Sequence, residues 1–227
     1  LDHLEALIAL EDAHDLRDLT APLHSADLGD VLEAISSEDR LKLVELLGDH
    51  FDYETLTEVD ENIRLELMEF LPNAAIARGV AELDSDDAVF ILEDLAEPDR
   101  EEILARMPAF ERLSLKRSLD FPEESAGRRM QTDFIAIPPF WSVGQTIDYM
   151  RGEEDLPEEF FQIYVVEPNY NLLGTVPLAR ILRANRPQKT EQIMTHNLIA
   201  IEPTAAQQQT CTVVDPSHLV ILPVLTR

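Results

Sequence analysis

Apolar residues recur at steps of three and four through the first half of the chain, which predicts amphipathic helices with one buried stripe each. One spacing of apolar residues around an arginine occurs three times, at offsets of 24 and then 36 residues. The copies are Leu32, Ile35, Arg40, Leu43 and Leu47; Leu56, Val59, Arg64, Leu67 and Leu71; and Leu92, Leu95, Arg100, Ile103 and Met107. A helix-turn-helix unit used three times predicts a superhelical array of α-hairpins, in which each unit buries its face against its neighbours.

Short polar residues and prolines predict where these helices begin and end. Helix starts are indicated by Ser25 and Asp27, by residues 85–87 and by residues 97–99, where short acidic side chains can satisfy free backbone amides. Helix ends are indicated by Pro72 and Pro108, which follow the apolar stripes of the second and third copies.

The period of the pattern changes after residues 121–127, which interrupt the helical spacing. Short β-branched runs predict strands at 134–137, 163–166 and 172–176, with a turn at 168–171. Helical spacing returns at 143–150 and 178–184. The predicted order is therefore strand, helix, strand, turn, strand, helix.

This second half contains an internal repeat. Met130 precedes the run 134–137 as Met194 precedes the run 198–201, at an offset of 64, and residues 164–168 recur as 212–216 at an offset of 48. Sixteen residues of the first copy therefore have no counterpart after Gln209. Either they are missing from the sequence as given or they are deleted, and the sequence leaves both explanations open.

Charge separates the two halves and limits the classes of partner. Residues 1–127 carry 34 acidic against 10 basic residues, a net charge of −24, whereas residues 128–227 carry 11 against 8, a net charge of −3. Nucleic acid and anionic lipid are improbable partners for such a surface, because both are bound through clustered Lys and Arg. A basic protein or a hard divalent cation, which prefers carboxylate oxygens, fits it better.

The strand and helix order of the second half, with Gly174 closing its hairpin, resembles the cystathionine beta-synthase (CBS) domain, which occurs in tandem pairs. Together with the acidic α-hairpin repeats and the link 123–127, the whole chain resembles the cytosolic region of an MgtE-type magnesium transporter. The resemblance implies an N-terminal superhelical α-hairpin domain at 1–121, a linker at 122–129 and a CBS pair. We expect the first CBS domain at 130–191 and a second, incomplete in this chain, at 192–227.

The same resemblance implies a function. In that family Mg²⁺ ions bridge carboxylates of the helical and CBS domains, the domains close, and ion uptake through the attached pore stops. We therefore expect Mg²⁺ as the bound ion, a transmembrane pore domain of the same polypeptide as partner, a homodimer formed through the CBS domains, and a location on the cytoplasmic side of the cell membrane.

Three residues are predicted metal ligands. Glu54 and Asp86 match positions at which the family places helical-domain ligands, and Asp87 adjoins them, although the family's next carboxylate falls on Phe90 here. A helix cap at residues 86 and 87 and a solvated face at Glu54 are the alternative interpretations. On the CBS side the family's acidic run is replaced by residues 204–209, which carry no acid, so we expect no metal ligand there.

Nucleotide binding is disfavoured by the sequence. Where CBS pairs that bind adenine nucleotides place an acid for the ribose, this chain has Arg180, which with Thr175 could still contact phosphate. Cys211 is predicted to be a buried small side chain, and the acidic run 153–159 a solvated loop. No nucleophile motif or phosphate-binding loop is present, so we expect no enzyme. The alternative function is a soluble CBS-pair module that senses an adenine nucleotide or a protein partner.

Overall fold

The structure, a computed structural model, describes residues 1–153, 156–157, 160–169, 171–196, 199–206 and 223–225. The chain forms two compact units, the helical unit Leu1–Glu123 and the α/β unit Glu124–Arg227. The boundary falls inside the predicted linker, and the predicted domain limits themselves stay a prediction.

The helical unit consists of ten α-helices joined by short loops. They are α1 Asp2–Leu10, α2 Ala13–Thr20, α3 Ser25–Ala34, α4 Ser37–Leu47, α5 Thr55–Glu58, α6 Glu61–Phe70, α7 Asn73–Ala81, α8 Ser85–Glu93, α9 Glu97–Arg106 and α10 Ala109–Leu119. A 3₁₀ turn, Gly48–His50, follows α4. Helices α3, α8 and α9 begin where the sequence predicts. The predicted end signals Pro72 and Pro108 follow α6 and α9, and each is also the N-cap residue of the next helix.

The apolar stripes of the three sequence copies form the core of the helical unit. Leu32, Leu43, Leu56, Leu67 and Leu92 are fully buried, and most of the other apolar positions in the copies are buried with them. Helix α3 packs on α5, α5 on α8, α7 on α9, and α8 on α10. Stacked hairpins are thus the observed architecture, as the repeated spacing predicts.

Two of the three repeated arginines are buried for the same reason. Arg40 donates from Nε to the carbonyl of Leu32 (2.7 Å) and from Nη2 to that of Ile35 (3.3 Å). Its Nη1 pairs with Glu66 of α6. Arg64 donates to the carbonyls of Leu56 (3.2 Å) and Val59 (3.3 Å), the equivalent positions in the second copy. Each guanidinium therefore satisfies carbonyls at the end of the preceding helix, which have no intrahelical partner.

The α/β unit has a three-stranded sheet in the order β1-β2-β3 within the described residues. The strands are β1 Ala136–Ile137, β2 Gln162–Val166 and β3 Leu172–Pro177, and the helices are α11 Val143–Gly152 and α12 Leu178–Arg183. Strand β1 pairs with β2 in parallel, and β2 with β3 antiparallel. The predicted order is confirmed, although the first strand is two residues long rather than four.

The second half of the internal repeat falls mainly on residues 207–222, which lie outside the described residues, as do Cys211 and four acids of the run 153–159. The question of the sixteen residues therefore also lies outside them. No helix in the described part of the chain is long and apolar enough to cross a membrane.

Candidate functional site

The first turn of α8 carries three acidic side chains within four residues. Asp84 is the N-cap residue, without a side-chain cap hydrogen bond, and Asp86 and Asp87 lie in the first turn. The α-helix N-terminus presents free N–H groups, so negative charge is tolerated there. Asp86 is partly buried, and its Oδ1 is shielded from solvent without a hydrogen-bond partner in the described structure.

Asp87 has the most strongly perturbed carboxyl group of this cluster. Burial, followed by the negative charges of Asp86, Asp84, Glu54 and Glu58, raises its pKa from 3.8 to about 6. Burial also raises the pKa of Asp86, and the negative charge of Asp84 adds to this rise. Hydrogen bonds from the backbone of Asp86 and Asp87 oppose it. The carboxylates are thus close enough to repel one another, and proton binding is one way to relieve that repulsion.

Glu54, the N-cap residue of α5, and Glu58, its last residue, reach this cluster because α5 packs on α8. The backbone at Glu54 is fixed because its N–H donates to Asp52 Oδ1 (3.1 Å) and its carbonyl accepts from Thr57 Oγ1 (2.8 Å). Both glutamate side chains are exposed. We name the five residues Glu54, Glu58, Asp84, Asp86 and Asp87 the α5–α8 carboxylate cluster.

The structure therefore brings Glu54, Asp86 and Asp87 into one region and adds two residues that the sequence analysis missed. Glu58 could have been found from its spacing, because residues i and i+4 share a helix face and Glu58 is four residues after Glu54. Asp84 could have been found as the acid immediately before a predicted helix start.

Phe90 occupies the next turn of α8, where the resemblance leads one to expect a further carboxylate. The Cζ atom of Arg64 lies 4.4 Å from the centre of its ring, a cation–π contact. Arg64 also binds Asp94, just beyond α8, at 2.7 and 2.8 Å. The aromatic ring thus replaces an acid with a contact that ties α8 to Arg64 of α6.

The α5–α8 carboxylate cluster is not a closed metal cage. No group of three or more His, Cys, Asp or Glu side chains among the described residues is arranged to hold a metal ion directly. Mg²⁺ usually keeps several water ligands and binds through one or two carboxylates. Loosely arranged acids of this kind are chemically suited to a hydrated Mg²⁺ ion rather than to a fully protein-coordinated one.

The predicted phosphate contacts lie together in the α/β unit. Thr175 is buried on β3 and exchanges two backbone hydrogen bonds with Thr195, of 3.2 and 2.8 Å. Arg180 donates from Nη1 to the carbonyl of Ile193 (2.7 Å) and to Thr195 Oγ1 (3.0 Å). Both residues are thus engaged with the segment 193–195.

Comparison with known proteins gives the following similarities. A family model, the MgtE intracellular N domain, matches residues 23–124. The magnesium transporter MgtE of Bacillus subtilis is 19% identical over 224 residues, which are 98% of this chain and 50% of that protein. The protein of the same name from Enterococcus faecalis is 24% identical over 219 residues, 94% of this chain and 48% of that protein. The chain thus spans about half the length of the curated relatives it matches.

Two solved structures share the fold. A crystal structure of the soluble part of a magnesium transporter has a TM-score of 0.82 at 20% identity and covers 98% of this chain and 88% of its own. The crystal structure of the cytosolic domain of the Mg²⁺ channel MgtE in complex with ATP has a TM-score of 0.86 at 20% identity, covering 96% and 90%.

The fold thus defines a protein class in which a helical N-terminal domain is followed by a CBS-like α/β region. Within that class, the chain is homologous over nearly its whole length to the cytosolic region of MgtE-type magnesium transporters, and residues 23–124 match the MgtE intracellular N domain. The predicted resemblance is confirmed. Because this family is non-enzymatic, the expectation that the chain is not an enzyme is confirmed by homology.

Proposed function

We propose that the chain is the Mg²⁺-sensing cytosolic part of a magnesium transporter or channel, and that Mg²⁺ binding closes it and gates ion uptake. The proposed partner is a transmembrane pore domain of the same polypeptide. The unmatched half of the curated relatives supports that partner, and the homology supports a location on the cytoplasmic side of the membrane.

The observation that carries this proposal is that the packing of α5 on α8 brings the acids of the α5–α8 carboxylate cluster together, where their charges raise the pKa of Asp87. Two carboxylates about 5 Å apart repel by roughly 1 kcal/mol even in water, and by more where they are partly buried. A divalent cation reverses the sign of this interaction. Magnesium binding therefore converts a repulsive surface into one that can accept a further acidic neighbour.

Glu54, Asp86 and Asp87 are the proposed Mg²⁺ ligands, with water completing the shell. The unpartnered Oδ1 of Asp86 supports this assignment, because buried polar atoms in proteins normally have a partner. Weak binding through few direct ligands suits a sensor that must respond to changes in cellular magnesium.

A magnesium titration tests the proposal. Small-angle scattering and limited proteolysis are measured across MgCl₂ concentrations and, in parallel, across KCl at matched ionic strength. We expect compaction and protease protection with Mg²⁺ that exceed those with K⁺. Equal responses to the two salts would show that charge screening alone is responsible, and the sensing proposal would be wrong.

Matched charge variants test the ligands. In Glu54→Gln/Asp86→Asn/Asp87→Asn, we expect the excess response to Mg²⁺ to be lost. The control is Asp30→Asn/Glu45→Gln/Glu69→Gln, which removes the same number of negative charges. These three acids are exposed and do not contribute to the pKa of Asp87. If both triple variants respond alike, net charge rather than the named residues determines binding.

Homodimer formation through the CBS region also remains a proposal. Sedimentation equilibrium of the chain tests it directly: a monomer at every concentration would contradict it.

Adenine-nucleotide binding is a second candidate function, because one structure of the same fold is a complex with ATP. We propose Thr175 and Arg180 as weak candidate contacts. Arg180 would have to exchange its bonds to residues 193 and 195 for phosphate. Calorimetry with ATP tests this, and unchanged affinity in Arg180→Gln would remove that residue from the site.

A further inference from the structure

A cavity of about 480 Å³ lies in the helical unit, and none of the five residues of the α5–α8 carboxylate cluster lines it. Its walls come from α2, from the loop between α2 and α3, from α3, and from the 3₁₀ turn with the loop that follows it. A volume of this size is typical of sites for small organic molecules. The wall from α2 precedes the residues that match the family model, which begin at 23.

Arg17 is the fixed cation of this cavity. Its Nη2 donates to the carbonyl of Leu46 in the last turn of α4 (3.1 Å), which holds the guanidinium in place. Its Nε is buried and has no acceptor within the described residues. Arg40 and Arg64 pair with carboxylates, but the described structure records no carboxylate partner for Arg17. A bidentate anion is the ligand that a guanidinium binds best.

The rest of the lining is apolar below and acidic above. Leu28 is buried and Leu23 is partly buried, so they provide a hydrophobic floor. Asp18 and Asp52 are exposed at the opening, and Asp18 Oδ2 lies 3.5 Å from His14 Nδ1. Asp52 Oδ1 already accepts from the N–H of Glu54, but a carboxylate accepts several hydrogen bonds, so both aspartates can also accept from an ammonium group.

The sum of these charges selects the ligand class. With His14 and His50 counted as uncharged, one arginine and two aspartates give the lining a charge of −1. A simple anion would meet two carboxylates, and a simple cation would meet the guanidinium. A molecule that carries both an anionic and a cationic group satisfies both.

We propose that this cavity binds a small zwitterion of the amino-acid class. Arg17 holds its carboxylate, Asp18 and Asp52 hold its ammonium group, and Leu23 and Leu28 contact its apolar part. The site uses none of the proposed Mg²⁺ ligands, although Asp52 accepts a hydrogen bond from the backbone of Glu54, and it would give the helical unit a second ligand to which it responds.

The experiment screens the common L-amino acids one at a time against the whole chain in magnesium-free buffer with EDTA. Thermal unfolding detects binding and calorimetry measures the affinity. For the best compound, its N-acetyl derivative lacks the ammonium charge and its amide derivative lacks the carboxylate. We expect the free amino acid to raise the melting temperature and both derivatives to bind at least roughly tenfold more weakly.

Three variants locate the site. Arg17→Met should weaken binding by roughly tenfold or more. Ala21→Trp, at an exposed position of the lining, should block the cavity without removing a charge or disturbing the core. It therefore keeps the test valid if Arg17→Met unfolds. Arg106→Met is the control, because this exposed arginine pairs with Glu102 outside the cavity; its affinity should be unchanged.

Several results would overturn the proposal. They are the absence of any stabilising amino acid, full binding by Ala21→Trp, and equal binding of either derivative, which would indicate a plain anion or cation. Because EDTA is present throughout, a negative result leaves the magnesium proposal untouched.

Discussion

Single residues contribute unequally to the stability of the helical unit, and Arg64 combines several kinds of stabilising contact. It bonds two backbone carbonyls, pairs with Asp94 and lies over the ring of Phe90. By contrast, Arg78 forms an exposed pair with Asp49. Burial distinguishes these arginines, although the sequence presents both as cations on a helix.

Replacing Arg64 by Met should therefore destabilise the helical unit by about 2–4 kcal/mol, because it leaves the partly buried Asp94 carboxylate and two buried carbonyls without a donor. Urea unfolding followed by circular dichroism measures the change. Arg78→Met is the matched control, with an expected loss below about 1 kcal/mol because its ion pair is exposed. Equal losses in the two variants would contradict the contribution assigned to the buried guanidinium.

The raised pKa of Asp87 predicts a pH effect at the same scale. Its pKa is about 6 in the folded state against 3.8 for the free side chain, so the folded state binds the proton more tightly. This group's stabilising contribution is complete below pH 3.8 and is lost as the pH rises through 6. Asp87→Asn should therefore stabilise the protein at pH 7 by about 1 kcal/mol after allowance for solvent screening.

The measurement is the free energy of unfolding of wild type and Asp87→Asn at pH 5 and pH 7. The difference between the two proteins should be larger at pH 7. Asp30→Asn, which removes an exposed acid elsewhere, is the control. A difference that is independent of pH would mean that Asp87 titrates normally.

Elements were predictable where a local pattern determines them. The copies around Arg40 and Arg64 fold as expected because apolar spacing and a buried guanidinium agree. The third copy fits less closely, since no equivalent bonds of Arg100 are recorded in the described part of the chain. The closeness of α5 to α8 depends on contacts between residues about thirty positions apart, which no local pattern contains. The sequence therefore indicated three acids of the cluster and missed two.

The sequence signal at Gly174 has a clear physical cause in strand β3. A Cβ atom at this position would lie 2.7 Å from the carbonyl oxygen of Thr195 and 3.0 Å from the Met194 side chain. The backbone of residues 194–195 thus approaches so closely that no side chain fits. The hairpin glycine is required by packing rather than by a left-handed backbone.

Gly174→Ala should destabilise the α/β unit by about 1–3 kcal/mol, since the backbone must shift to admit a methyl group. The chain has one tryptophan, Trp141, which packs against the core of this unit, so its fluorescence reports unfolding of this unit. Gly152→Ala is the control, because nothing lies within 4 Å of the added Cβ. If the two variants unfold at the same denaturant concentration, the close approach at Gly174 is incorrect.

The whole molecule is dominated by its negative charge, which is −27 at pH 7. Most of it lies in the helical unit, so acidic side chains on the surface of that unit repel one another. Composition alone was enough to predict this imbalance and to exclude polyanionic partners. The class of ion that neutralises it could be inferred only together with the resemblance to a family.

Salt should therefore stabilise the chain even without magnesium. Raising KCl in the presence of EDTA screens repulsion between exposed acids, and we expect the melting temperature to rise by several degrees. The triple variant Asp30→Asn/Glu45→Gln/Glu69→Gln should begin with a higher melting temperature and gain less. A melting temperature that does not depend on KCl would show that repulsion is not a significant part of the stability of this fold.

The Arg64 contacts have a mechanical consequence for the acidic cluster. Arg64 donates hydrogen bonds to the last carbonyls of α5. Through Asp94 and Phe90 it also contacts the C-terminal half of α8. It thus links the two helices that bear the mutually repelling acids, and these helices cannot move apart without breaking its contacts. The repulsion between these carboxylates is then lowered by binding a proton or a cation. Under the proposed Mg²⁺ binding, the contacts of Arg64 would hold these carboxylates near one another both before and after a cation neutralises them.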